Sequence, residues 1–149
     1  YVALPALALL FLRAQPDGLL LALWVLATVW TTDIGAFFAG RAIGGPKLAP
    51  TVSPNKTWAG LIGGVLAAFA LGLVLARTAE LPLQLAIASP ILAVIAQIGD
   101  LYESALKRRA GVKDSGTILP GHGGVMDRLD GLVPAAPAAA ILILVNRIV

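Results

Sequence analysis

The chain has 149 residues, a mean hydropathy of +0.89, 58% hydrophobic and only 13% charged residues. Soluble domains carry about 25% charged residues, so an ordinary water-soluble domain is excluded, and apolar runs near or above ~18 residues predict an integral membrane protein. The absence of cysteine excludes disulfides, Cys-ligated zinc and a thiol nucleophile, and the formal charge of +3 matters less than where the charges lie.

Residues 1–12 are apolar but too short to span alone, and they read as the tail of a cut helix. With no initiator Met and no basic leader, the chain reads as a fragment whose upstream helices are absent. Residues 13–18 predict a turn, and 19–40 a first full span containing Trp24 and Trp30. A polar loop rich in Gly and Pro occupies 41–56, and a second span follows over 57–76. After a short turn at 77–82, a third, long helix covers 83–109, its last turns leaving the apolar zone. A second polar loop fills 110–126, and 127–149 predicts a last span with Pro134 and Pro137 near its start. Proline is tolerated in a first helical turn, where its missing N–H has no partner to lose. The expected fold is all-α: a polytopic integral membrane protein with about four full transmembrane helices plus a truncated N-terminal one. Few Ser, Thr and Tyr and regular charged interruptions argue against a β-barrel. No internal repeat or low-complexity segment is evident.

Orientation follows from the Lys/Arg bias. The two long loops hold Arg41, Lys47, Lys56, Lys107, Arg108, Arg109, Lys113 and Arg128; the other side holds Arg13, Arg77 and Arg147. Both long loops are therefore expected on the cytoplasmic side.

Four clusters carry the chemistry. In Ser53-Pro54-Asn55-Lys56-Thr57-Trp58, Ser53 is expected to cap a helix, with Lys56 and Thr57 at its N-terminus. Free N–H groups and the positive dipole end there suit an anion. The ordinary alternative is a capped helix start with a snorkelling lysine. Asp33 lies deep in the first full span, where a carboxylate faces either a functional cavity or a structural partner. Gln97, Asp100, Glu103 and Ser104 follow on the third helix, with Asp100, Glu103 and Ser104 on one face. Acids so placed repel unless a cation lies between them, and hard oxygens suit Mg²⁺; the plain alternative pairs Glu103 with Lys107 at i+4. Finally, Asp127 and Asp130 flank Arg128 behind Gly121-His122-Gly123-Gly124, where successive glycines can turn backbone N–H groups toward an anion. Acids at a helix start also favour the dipole without any ligand. Gly63, Gly64 and the small residues from 60 to 72 read as close helix packing, and the tryptophans as membrane anchors or packing.

The stretch from Ser104 to Asp130, S-x-L-K-R-x4-K-D-x-G-x2-L-P-G-H-G-G-V-x-D-R-L-D, resembles the signature of the phosphatidate cytidylyltransferases, or CDP-diacylglycerol synthases. The upstream SPNKTWAG, after DIGAFFAGRAIGGPKLAP, is similar to a second conserved region of that family. Many relatives carry a basic residue at position 55 and an acid at position 59; here they are Asn55 and Ala59. The resemblance covers about residue 33 to the C-terminus. It implies that residues 1–149 are the C-terminal catalytic part of a longer membrane-embedded enzyme, α-helical and homodimeric. The implied reaction transfers a cytidylyl group from CTP to phosphatidic acid, giving CDP-diacylglycerol and pyrophosphate for phospholipid biosynthesis. It implies Mg²⁺ as cofactor, a K⁺-type monovalent cation as assisting ion, and no nucleic-acid partner. Its implied home is the bacterial inner (plasma) membrane, with the site facing the cytoplasm.

Carried over by position, Asp100 and Asp127 correspond to metal-binding acids, with Asp130, Ser104 and Asp114 in a second tier. Lys56, Lys107, Arg108, Lys113 and Arg128 correspond to phosphate-handling cations; Lys113 and Arg128 join Asp100 and Asp127 as the expected catalytic set. Ser53 and Thr57 are expected at the substrate, and Gly121, His122, Gly123 and Gly124 in the triphosphate pocket. Two other classes remain open: a CTP-dependent lipid or polyprenol kinase, and a transporter in which Asp33 and Asp100 line an ion path. The run Asp127-Arg128-Leu129-Asp130-Gly131 superficially matches the D-x-x-D-G of CDP-alcohol phosphotransferases, but the further acids of that signature are missing downstream.

Overall fold

A computed structural model describes residues 3–112 and 129–148. Among them are five helices and one hairpin: α1 (Ala3–Arg13), α2 (Gly18–Ile43), β1 (Lys47–Ala49), β2 (Ser53–Thr57), α3 (Trp58–Thr78), α4 (Leu83–Arg109) and α5 (Leu132–Ile148). Helices α2, α3 and α4, of 26, 21 and 27 residues, are long and apolar enough to cross a membrane. Their outward faces carry Leu23, Trp30, Phe38, Ile62, Leu66, Ile87, Ile91 and Ile98, all exposed. The interior instead holds many small residues, among them Ala86, Ala93, Ala135, Ala136 and Ala139. Large apolar side chains outside and alanines inside suit a lipid solvent, in which exposing Leu or Ile costs nothing. This is an integral membrane protein.

The expectation of about four full spans is met only in part. Helix α5 has 17 residues, about 26 Å at 1.5 Å per residue, against a hydrocarbon core of about 30 Å. Its start explains the shortfall. Residues 129–131 form a turn, in which Asp130 Oδ1 accepts from the Gly131 N–H at 2.7 Å. The helix therefore begins at Leu132, not at Asp127, and Pro134 falls in its first turn. The fold is mostly helical, as expected, with one short exception. The first loop is shorter than expected, because α2 continues to Ile43, and it contains an antiparallel hairpin pairing Lys47 with Thr57 and Ala49 with Ser53. Ser53 thus lies in a strand and caps no helix. The cap is Thr57, extended at φ −123° and ψ 158°, whose Oγ1 accepts from the Gly60 N–H at 3.0 Å.

Helix α3 packs closely along α2 through glycine. A Cβ on Gly63 would lie 2.2 Å from the Ala39 Cβ, and one on Gly64 2.7 Å from the Thr32 carbonyl oxygen. The backbones can approach this closely only because those side chains are absent, which is how membrane helices gain packing energy. Helix α4 packs on α3 at Gly72, where a Cβ would meet both the Ala86 carbonyl and the Ser89 hydroxyl at 2.7 Å. Trp24, fully buried in α2, donates its Nε1–H to Ser89 Oγ at 2.9 Å. Bonds between membrane helices average only about 0.6 kcal/mol. The greater consequence is avoiding a buried unpaired N–H, which costs about 1–3 kcal/mol. Helix α5 closes the bundle against α1 and α4. Together these contacts hold the C-terminal halves of α2 and α4 and the hairpin around one polar space.

Because Gly63 has no room for a side chain, Gly63→Leu is expected to lower the thermal midpoint in detergent, by an overpacking cost of about 1–3 kcal/mol. Ile62→Ala, one residue away on the exposed face, is expected to leave it nearly unchanged. Equal midpoints for the two variants would contradict the packing described.

Candidate active site

One end of the bundle encloses a cavity of about 580 Å³. Helix α2 contributes Asp33, Phe37, Gly40 and Arg41, spaced by helical turns so that they share one face. The hairpin and the start of α3 contribute Asn55, Lys56, Thr57, Gly60 and Leu61; α4 contributes Gln97 and Asp100. Polar groups inside a membrane bundle need partners, and Asp33, Gln97, Lys56 and Asp100 are paired with one another. Lys56 Nζ forms an ion pair with Asp100 and donates to Gln97 Oε1 at 3.0 Å. The other end of the same amide, Gln97 Nε2, donates to Asp33 Oδ1 at 3.0 Å. Ser104 Oγ donates to the second oxygen of Asp100 at 3.3 Å. An unbroken chain of polar contacts therefore runs Asp33–Gln97–Lys56–Asp100–Ser104 across α2, β2 and α4.

Below this chain lie two more acids. Glu103 is buried, with Lys107 Nζ 3.6 Å away at i+4, so the local pairing expected from the sequence forms. Asp130 precedes α5, and its carboxyl is pushed up from 3.8 to about 7. Burial is the main cause, the charge of Asp100 the next; the Gly131 N–H partly offsets them, and Glu103 and Asp33 push further the same way. Asp100, Glu103 and Asp33 thus act on Asp130 within one electrostatic neighbourhood. Among the described residues, no three His, Asp or Glu side chains are grouped closely enough to cage a metal ion on their own.

The residues expected at the site fall into three sets. Lys56, Thr57 and Asp100 line the cavity, and Ser104 bonds to Asp100. Lys56 reaches the cavity from a strand, not from the helix N-terminus expected for it, and Thr57 is buried in its capping role. Ser53, paired with Ala49 in the hairpin, is absent from the cavity wall, as are Asp130, Lys107 and the exposed Arg108. Lys113, Asp114, Gly121, His122, Gly123, Gly124, Asp127 and Arg128 lie outside the described residues. Arg41 and Asn55 line the cavity but were not expected at the site. Arg41 was legible in principle: it lies eight residues after Asp33, on the same helical face, once α2 is extended past residue 40.

A helical membrane protein with a lysine–carboxylate–amide cavity at one end of its bundle is the class that fold and site define. A sequence model described as the cytidylyltransferase family matches residues 1–146, and the chain belongs to that family. It is 52% identical over 139 residues to a phosphatidate cytidylyltransferase of Brucella suis biovar 1 (strain 1330), covering 91% of this chain and 52% of that one. It is 41% identical over 157 residues to that of Rickettsia bellii (strain RML369-C), covering 97% and 65%. To that of Bacillus subtilis (strain 168) it is 45% identical over 123 residues, covering 80% and 46%. The chain spans about half the length of the curated relatives it matches. In three dimensions it resembles a solved intramembrane enzyme for archaeal membrane lipid biosynthesis. The TM-score is 0.52 and the identity 24%, with 82% of this chain and 92% of that one covered; this likeness supports the fold.

Thr57→Ala removes the oxygen that accepts from Gly60 and is expected to cost about 1 kcal/mol of stability. Thr57→Ser keeps that oxygen and is expected to behave as the parent. Chemical unfolding in detergent micelles measures both, and an undiminished Thr57→Ala would argue against the cap.

Proposed function

We propose that this chain forms the catalytic part of a phosphatidate cytidylyltransferase, joining CTP and phosphatidic acid into CDP-diacylglycerol with release of pyrophosphate. Family membership and 52% identity to a Brucella suis phosphatidate cytidylyltransferase support the reading. The observation that carries it is the ion pair of Lys56 with Asp100 in a polar cavity at one end of the membrane bundle. A lysine supplies a positive charge to triphosphate or phosphatidate oxygens, and a neighbouring carboxylate can hold a cation beside them.

In the reaction a phosphate oxygen of phosphatidate bonds to the α-phosphorus of CTP as the bond to the β-phosphate breaks, and pyrophosphate leaves with its electron pair. The attacking phosphate is already ionised near neutral pH, so no side chain need remove a proton. What the protein must supply is alignment of two anions and stabilisation of the charge on the leaving group. Lys56 and Arg41 are the described cations lining the cavity. Lys113 and Arg128 are added from the sequence signature. In this proposal a divalent cation such as Mg²⁺ is held by the hard carboxylate oxygens of Asp100 and Asp130, whose like charges repel, with Asp127 as a further ligand. Bound there, the ion would neutralise phosphate charge and make the α-phosphorus more electrophilic. A K⁺-type ion and a homodimeric assembly belong to the same proposal. The same proposal puts the cavity at the cytoplasmic side of a bacterial inner membrane, where water-soluble CTP can meet a lipid phosphate; the Lys/Arg bias of the loops supports that orientation.

In proteoliposomes with phosphatidate and Mg²⁺, label at the α-phosphate of CTP is expected in the lipid and label at the γ-phosphate in water-soluble pyrophosphate. A CTP-dependent lipid kinase gives the opposite distribution, and a transporter leaves CTP intact. Lys56→Ala is expected to lower turnover by about 10²–10³-fold, the scale for removing one group aimed at developing charge. Asp100→Asn and Asp127→Asn are expected to abolish turnover even at saturating Mg²⁺. Near-parental rates in both aspartate variants would refute the metal assignment.

A further inference from the structure

We infer that Asp33 is a positioning residue: through the side-chain amide of Gln97 it holds the Lys56 ammonium in place against Asp100. The inference rests on the cytidylyl-transfer reading for its kinetic consequence, though not for its geometry.

An amide side chain has an accepting end and a donating end, and a turn about its last bond exchanges them. Lys56 is only a donor, so it is attracted by the Gln97 oxygen and repelled by the Gln97 NH₂. In the structure the oxygen faces Lys56 and the NH₂ faces Asp33, each contact at 3.0 Å. Asp33 Oδ1 accepts from the NH₂ end, and that bond is lost if the amide turns over. Asp33 thereby favours the polarity that Lys56 meets. Because α2, β2 and α4 each supply one member, the arrangement also fixes the hairpin relative to the two helices.

The need for such a tether follows from where Lys56 stands. It is on a five-residue strand, next to the cap of α3 and not within a helix, and its four-carbon stem has many rotamers. Asp100 alone would hold it by charge from one side. Gln97 adds a second, directional contact on the same ammonium, so its position is defined by two partners on one helix face three residues apart. A lysine so held meets a phosphate oxygen without first losing rotamer freedom, which appears as tighter substrate binding.

Asp33 could instead serve by its charge, by direct contact with a substrate group or by ligating a cation. Asparagine separates the cases. Its side-chain oxygen can still accept from Gln97 Nε2 while Lys56, a donor only, keeps the Gln97 oxygen turned toward itself, so Asp33→Asn keeps the hydrogen bond and loses the charge. Asp33→Leu and Gln97→Leu lose the tether. The first measurement is the rate at which an amine-acylating reagent modifies Lys56 in the detergent-solubilised protein, followed by peptide mass spectrometry, with Lys47 as internal reference. Modification of Lys56 is expected to accelerate several-fold in Asp33→Leu and in Gln97→Leu, while Asp33→Asn remains near the parent and Lys47 is unchanged in all three.

The second measurement is steady-state kinetics with CTP and phosphatidate. Asp33→Leu and Gln97→Leu are each expected to raise KM about tenfold, the scale of one charge-assisted hydrogen bond. The double variant is expected to be no worse than either single one, because the two residues act as a unit. Asp33→Asn is expected to retain most of the parental value. Unchanged Lys56 reactivity in Asp33→Leu overturns the inference, whatever the kinetics. An asparagine variant as impaired as the leucine variant in both measurements also overturns it, and assigns Asp33 a role through its charge. Absence of cytidylyl transfer by the parent protein counts against the proposed function alone, since the acylation rates still decide the tether.

Discussion

The structure depends on one electrostatic constraint: a lysine ammonium and several carboxylates occupy the end of a bundle whose outer surface is built for lipid. Removing an ion from water costs several kcal/mol even after relaxation, and an unpaired partner left behind costs about 3–5 kcal/mol. The ion pair of Lys56 with Asp100, extended by Gln97 to Asp33 and by Ser104 on the other flank, answers that constraint within the protein. The carboxyl of Asp130 is raised mainly by burial and next by the charge of Asp100.

Helix packing serves this arrangement. Asp33 and Gln97 are 64 residues apart in sequence, and Lys56 and Gln97 are 41 apart. They meet because glycine lets α2 and α3 approach to backbone contact at Gly63 and Gly64, while Gly72 does the same for α3 and α4. Widening either interface by one methyl group would move Asp33 or Gln97 by a fraction of the helix spacing, and a 3.0 Å hydrogen bond tolerates little of that. The small residues that look like mere membrane packing are therefore part of how the site is built. The short hairpin does the remaining work. It turns the chain back from α2, delivers Lys56 to the cavity and leaves Thr57 extended to cap α3.

Several features were legible in the residues alone. The long apolar runs announced membrane helices, and α4 begins and ends where its pattern indicated. The glycines of α3 read correctly as close packing, and Glu103 with Lys107 as a local pair. Other expectations failed for physical reasons. A loop of Pro and Gly gave no alternating pattern, so its hairpin, held by backbone bonds and not by side-chain periodicity, left no trace in composition. The final span was extended back to Asp127 because an acid before an apolar run looks like a helix start. Asp130 instead closes a turn on Gly131, which delays α5 to Leu132.

By itself the sequence determined the solvent this protein folds in, the positions of its longest helices and, through the signature from Ser104 to Asp130, its family. Those properties are written in hydropathy, composition and local spacing, which neighbouring residues carry. Only the tertiary structure decided that Lys56 reaches its partners from a strand, that Arg41 turns toward the same cavity, and that one glutamine amide stands between Asp33 and Lys56. A hydrogen bond between residues far apart in the chain is a property of how three elements pack, and no local pattern encodes which end of an amide faces which neighbour.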